Sequence, residues 1–175
     1  MEGPGISTSA LLSVIGTLYD AATDARKWRE SLASFVELPG GNGGHMTLFD
    51  QRNRQIDFTV ALGVPEDKLP LLVELWETDP RTPLNRDKPW HPGIVRKWHP
   101  DADENWPEGI DWNDMVVCDR MICSTEALHQ SAIYQRLLAP HKVETTAGIY
   151  KTEGIDHIVS CGVFRGPDAP AFSPL

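Results

Sequence analysis

Two tripeptides repeat, Trp90-His91-Pro92 and Trp98-His99-Pro100, and Asp101, Asp103 and Glu104 follow the second. Two imidazoles and a carboxylate form a donor set that suits a divalent transition metal. A separation of eight residues on proline-interrupted backbone fixes no coordination geometry, however, so no metal is expected. The cysteines do not supply a site either. Cys118, Cys123 and Cys161 are odd in number and match neither a zinc pair nor a disulfide framework. Cys161 lies in the apolar run Ile158 to Phe164, where a free thiol serves as a small core residue, and a reducing compartment follows.

Nucleophilic and phosphate chemistry find no foothold. The chain carries no Gly-x-Ser-x-Gly elbow, no His-Glu-x-x-His pair, no phosphate loop and no Gly-x-Gly-x-x-Gly fingerprint. Gly40-Gly41-Asn42-Gly43-Gly44 is rich in glycine, but no strand precedes it and no helix follows, so it reads as a connection before the first strand. No catalytic residue and no cofactor are assigned, and an enzyme is not expected.

Aromatic residues make the better case for a site. Phe49, Phe58, Trp76, Trp90 and Trp98 fall on or beside a sheet and the segment expected to cover it. Small-molecule pockets are mostly apolar with a few placed polar groups. The expected ligand-binding set is Phe58, Trp76 and Trp90, with Asp79, held at a helix end by Pro80, as the polar group.

The elements that must position these residues follow from periodicity. Ser7 to Ser9 can cap a first helix in which Leu11, Leu12, Ile15, Leu18, Tyr19 and Ala22 share a face, and that face should be buried. Asp24 caps a second helix carrying Trp28, Leu32, Phe35 and Val36, which stops at Leu38-Pro39-Gly40-Gly41. The period then changes. His45 to Phe49 and Ile56 to Leu62 read as a hairpin around the turn Asp50 to Arg54. Gly63-Val64-Pro65 opens a third helix with Leu69, Leu72, Val73 and Trp76 on one side, ending near Asp79-Pro80.

The segment 81–114 holds five of the fourteen prolines and four of the six tryptophans. Such proline density excludes a long helix, while the tryptophans carry too much apolar surface for a disordered linker. It reads as a long ordered, functional loop with a short strand around Ile94 to Trp98. A helical stretch from Met115 to Arg120, a helix Glu126 to Leu138 capped by Ser124 or Thr125, and strands Val143 to Lys151 and His157 to Phe164 complete the chain. This order predicts an α+β fold, one antiparallel sheet of about five strands flanked by helices, and the resemblance described below implies that the sheet is PAS/GAF-like. The 175 residues suit a single domain, residues 1–175, for which the resemblance described below implies ligand sensing. Both N-terminal helices carry more apolar surface than one sheet face can cover, which predicts a homodimer through them.

Charge limits the partners. Sixteen basic against 25 acidic residues give a formal charge of −9. The densest basic group, Arg26, Lys27 and Arg29, reads as a solvated helix face, so this domain is not expected to hold DNA itself. No apolar run is long enough to span a bilayer and no secretory start precedes it, so the expected location is the cytoplasm, with no membrane partner.

Several segments together resemble the N-terminal sensor region of LuxR-type helix-turn-helix regulators with PAS-like sensor domains. The segments are Leu11 to Ala22 followed by Trp28, then Trp76-Glu77-Thr78-Asp79-Pro80, then Tyr134 to His141, and finally Phe164 to Ser173. The resemblance implies a domain that binds an unknown small-molecule ligand, dimerises, and controls a C-terminal helix-turn-helix DNA-binding domain. In the acyl-homoserine-lactone-binding branch an Asp-Pro element and a later tryptophan touch the lactone head, places that Asp79 and Trp90 roughly occupy. The start of a helix at Ser173-Pro174 predicts that such a domain follows Leu175. The alternative is a stand-alone small-molecule-binding protein or enzyme that uses the same pocket, with histidines as acid-base or metal groups.

Overall fold

The computed structural model describes residues 6–50, 52–53, 55–75, 78–81, 116–153 and 157–172. Helix α1 (Thr8–Thr23) starts where the Ser7 hydroxyl accepts a hydrogen bond from the Ala10 amide. The Asp24 amide closes it by donating to the Asp20 carbonyl, and the Asp24 carboxylate caps a short 3-10 turn, Ala25–Lys27, that leads directly into α2 (Trp28–Glu37). Gly40, at φ 74°, turns the chain out of α2, and strand β1 (Gly43–Asp50) begins within the glycine stretch itself. Gly44 must be glycine because a Cβ there would lie 2.5 Å from both the Gly162 carbonyl and a Val36 methyl.

Strand β2 (Gln55–Leu62) pairs antiparallel with β1, β4 (Thr145–Glu153) with β5 (His157–Arg165), and β5 with β1. The fifth strand is β3 (Val117–Cys118), which pairs with β4 at the sheet edge. The order is β2-β1-β5-β4-β3, one antiparallel sheet in an α+β fold. Five strands were expected, but the helical stretch expected from Met115 to Arg120 contains β3, and only then a single helical turn, α4 (Asp119–Ile122). Val117 and Cys118 are both buried, and a two-residue apolar run carries too little periodicity to separate strand from helix. The strand expected at Ile94 to Trp98 lies outside the described residues.

Helices cover the sheet on both faces. On one, Leu32 and Val36 of α2 bury Val60 and Val163, with Trp28, Phe35, Met46, Phe58 and Leu62 around them. On the other lie α3 (Pro70–Glu74), preceded by a 3-10 turn at Glu66–Lys68, α5 (Thr125–Gln130), and a wide π-type turn at Tyr134–Leu138 that tightens to 3-10 at Ala139–His141. Ala61, Leu69, Leu75, Leu128, Ile133, Leu137 and Phe164 form the core there.

Two helices depart from their periodicity. The continuous helix expected from Glu126 to Leu138 breaks at Ser131, whose backbone is extended (φ −73°, ψ 152°). Its hydroxyl donates to the Leu128 carbonyl and accepts from the Tyr134 amide, the local competition by which serine leaves a helix and restarts one. In α1 the apolar stripe faces outward. Leu11, Leu12, Ile15 and Tyr19 are exposed, while Val14 and Ala21 are buried against α2. The small side chains on that inner side allow close approach, marked by Thr17 Oγ1 at 3.3 Å from Ser31 Oγ. Among the described residues no helix is long and apolar enough to cross a membrane.

Candidate functional site

The face of the sheet opposite α2 walls a cavity of about 130 Å³. The alternation of β1 sends His45, Thr47 and Phe49 into it, and β5 adds Ile158, Ser160 and Phe164. Val64, Leu69, Leu72, Val73, Leu137 and Leu138 close the apolar part from the helical side. Asp79, Arg81 and Thr146 make a polar end.

That polar end is a charged cluster held tightly. Asp79, nearly buried, accepts hydrogen bonds from the Arg81 amide and Arg81 Nε at Oδ1, each 2.9 Å, and from Arg81 Nη2 at Oδ2, 2.8 Å. Pro80 between them fixes the turn, so the fork-to-fork pair closes over three residues. Arg81 Nη1 then reaches Asp119 Oδ1 at 3.2 Å. Asp119 is in turn gripped by the Thr146 amide at Oδ2 and by the Thr146 hydroxyl at Oδ1. One guanidinium thus ties the segment after α3 to α4 and β4. Charge-assisted bidentate pairs of this kind are strong and directional.

His45 is the second polar feature. Its ring stacks on Phe164, with centroids 5.5 Å apart, and Nε2 shares a 3.0 Å hydrogen bond with Ser160 Oγ. Burial, assisted by the positive charge of Arg81, pushes its pKa down to about 4, so the imidazole is neutral in the ordinary pH range. Across the ladder His45 faces Gly162, and a Cβ on Gly162 would lie 2.7 Å from His45 Cε1. The glycine makes room for the ring.

Of the four expected ligand residues, the structure brings Asp79 to the cavity and places Phe58 elsewhere. Phe58 packs against Trp28 of α2, ring centroids 5.6 Å apart, on the sheet face away from the cavity. The cause is plain alternation, since Phe58 pairs with Leu48 in step with Val60 on Met46 and Leu62 on Gly44, all on the face that α2 covers. A register shift follows that pair, so that Phe49 faces Ile56 and Ile56 turns to the cavity. Trp76 and Trp90 lie outside the described residues, as do His91 and His99. Sequence reasoning did not single out His45, Arg81, Asp119, Thr146 or Ser160. Period-two alternation from Phe49 back through Thr47 to His45 was the available signal for the first of these.

Elsewhere, Asp50, Asp57 and His157 bring one possible ligand atom each within 4.8 Å of one another. Asp50 is already engaged by the Arg52 and Asn53 amides and the Asn53 side chain, which locks the β1–β2 turn. All three cysteines are buried and unbonded to one another, and burial pushes the Cys161 thiol up to about 12. The basic group on the N-terminal helices is neutralised within the chain. Arg26 pairs with Asp24 at 2.9 Å, Lys27 with Asp20 at 3.0 Å and Arg29 with Glu66 at 3.2 Å. Compared with known protein families, curated proteins and solved structures, the chain matches none of them.

Proposed function

We propose that the chain is the small-molecule-sensing domain of a cytoplasmic transcription regulator of the LuxR type, which acts as a homodimer and controls a helix-turn-helix DNA-binding domain. The observation that carries this reading is the cavity, apolar over most of its wall and ending in a polar cluster. Its volume of about 130 Å³ is of the order that takes one small apolar group, such as an aromatic ring. Arg81 is already held by two carboxylates, so the polar end favours an uncharged ligand with few hydrogen-bonding atoms over a free anion. The five-stranded antiparallel sheet flanked by helices supports the same reading, because the resemblance to PAS-like sensors implies a sheet of that kind. The paired basic side chains fit a domain that leaves DNA to another part of the protein.

A ligand acts in such a protein only through different affinities for two of its states. The Arg81 cluster joins three separated segments beside the cavity, so a ligand that repositions Arg81 is felt in α4 and β4. The test is a thermal-shift screen of uncharged small apolar compounds against the wild type and Ile56→Trp, which fills the cavity. Compounds that raise the wild-type melting temperature and leave the variant unmoved support the reading. A complete screen without such a compound counts against it.

The Ser160–His45 hydrogen bond favours a second reading, a hydrolase with Ser160 as nucleophile and His45 as base. A base whose pKa lies near 4 takes a proton poorly at neutral pH, and this weighs against that reading. Covalent labelling of Ser160 by a fluorophosphonate, lost in His45→Ala, would establish it.

A further inference from the structure

We infer that the ligand of the cavity carries an uncharged hydroxyl on a ring-sized apolar body, a phenol being the simplest case, and that Ser160 Oγ on the sheet floor reads that hydroxyl. This ligand class rests on the sensing reading and narrows it. Among the described residues six polar side chains line the cavity, and they fall into two groups. Asp79, Arg81 and Thr146 are bound to one another or to Asp119. The Thr146 hydroxyl is used twice, donating to Asp119 and accepting from Arg81. His45, Thr47 and Ser160 stand on the strands instead, and their two hydroxyls keep bonding capacity.

Strand register brings these three together. Thr47 lies directly opposite Ser160 across the β1–β5 ladder, and His45 is the next residue on the same face of β1. Ser160 Oγ shares one side-chain hydrogen bond, 3.0 Å, with His45 Nε2. Thr47 Oγ1 shares one with Thr59 Oγ1, at 3.2 Å. The imidazole is neutral in the ordinary pH range and so has two tautomers. With the proton on Nε2, the ring donates to Ser160 and the serine proton is left to donate elsewhere. With the proton on Nδ1, Ser160 donates to Nε2 and its lone pairs are left to accept. A ligand hydroxyl both donates and accepts, so it meets Ser160 in either state, and Thr47 offers it a second bond from across the ladder. A carbonyl or ether can only accept. A carboxylate would have to shed its hydration beside Asp79 and Asp119. The helical side of the cavity offers only aliphatic carbon, as at Leu69, Leu72 and Leu138, which sets the apolar body of the ligand. The cavity volume of about 130 Å³ holds that body to a single ring.

Isothermal titration of the whole chain with phenol and with toluene tests this, because the two differ only in a hydroxyl against a methyl on one ring. Toluene is the more apolar, so a cavity that selects by burial alone prefers it. The wild type is expected to bind phenol at least about fivefold more tightly than toluene. Ser160→Ala should remove that preference while leaving the toluene affinity within about twofold, a control that a misfolded variant would not pass. Thr47→Val should weaken phenol binding in the same sense, and Ile56→Trp should bind neither compound. The wild-type comparison needs no variant and is decisive even where Ser160→Ala does not fold. Toluene binding as tightly as phenol overturns the inference and leaves the sensing reading in place. A phenol preference that survives Ser160→Ala overturns it by placing the hydroxyl elsewhere. Binding of neither compound overturns it as well, and counts against the ligand cavity on which the sensing reading stands.

Discussion

Arg81 and Asp119 stand 38 positions apart in the chain and meet at 3.2 Å, with only 13% and 5% of their side-chain surfaces exposed. Asp79 grips the opposite edge of the same guanidinium. Removing one partner from a buried pair is far more damaging than the pair is stabilising, because a desolvated charge or donor is left behind. Asp119→Ala takes the carboxylate acceptor away from the Thr146 amide, and it leaves Arg81 Nη1 and the Thr146 hydroxyl with each other at 3.4 Å in place of Asp119. A loss of about 3–4 kcal/mol in urea unfolding is expected. Arg81→Lys should not behave as a conservative change, since an ammonium cannot span both carboxylates in a planar fork. A loss within 0.5 kcal/mol for Asp119→Ala would show that the cluster is not structural.

His45 predicts a pH dependence of stability. Its folded pKa lies near 4, below the ordinary histidine value of 6.5. The unfolded chain therefore binds a proton that the folded chain refuses between those two values. Stability should be level above about pH 6.5, fall as the pH drops toward 4, and lose no more on this account below it. The full window is worth about 3 kcal/mol. Asp50 and Asp24, whose carboxyls are held below their usual range by hydrogen bonds from Asn53 and Arg26 respectively, act at lower pH, where their protonation removes further stability. Denaturant melts from pH 4.5 to 7.5 should lose most of their slope in His45→Phe. An unchanged slope would assign the effect to other groups.

The sheet was legible because hairpin signals are local. Asp50 to Arg54 sits between two runs of β-formers, and Gly154 between two more, so the β1–β2 and β4–β5 pairs follow from turn chemistry. The site was less legible, for two physical reasons. A register shift between Leu48 and Phe49 turns Ile56 to the cavity, on the face opposite Phe58, and no residue type in Ile56-Asp57-Phe58 announces it. The Arg81 cluster joins groups from three segments, and pairing at such separations leaves no mark in any window of sequence. The outward stripe of α1 has the same origin, since periodicity finds an apolar face without saying what covers it.

Phe58, on the face opposite Ile56, gives a direct measure of which residues wall the cavity. It supports α2 through Trp28 and takes no part in the cavity wall, so Phe58→Ala should cost stability without reshaping the cavity. Partial exposure places the loss at the low end for an aromatic truncation, about 2–3 kcal/mol. A compound found to bind the cavity should keep its affinity for Phe58→Ala and lose it for Ile56→Trp. Equal losses for the two would return Phe58 to the site.

Gly162 and His45 should be coupled through space. The missing Cβ at Gly162 is what lets the His45 ring lie over the strand between Phe164 and Ser160. Gly162→Ala puts a methyl 2.7 Å from His45 Cε1, closer than the two carbons can stay, so the ring must turn away. Turning it breaks the bond to Ser160 and disturbs the stack on Phe164, and a cost of about 1–3 kcal/mol is expected for overpacking in a fixed sheet. Alanine is otherwise acceptable there, since the backbone of Gly162 does not require a positive φ. The cost therefore comes from the ring and not from the strand. In the double variant His45→Ala/Gly162→Ala the added methyl has space, so its penalty should shrink by more than about 1 kcal/mol relative to the wild-type background. Unfolding free energies of the four proteins in this cycle measure the coupling. Additive losses would mean that the Gly162 methyl collides with backbone instead, and that His45 is held in place without the glycine.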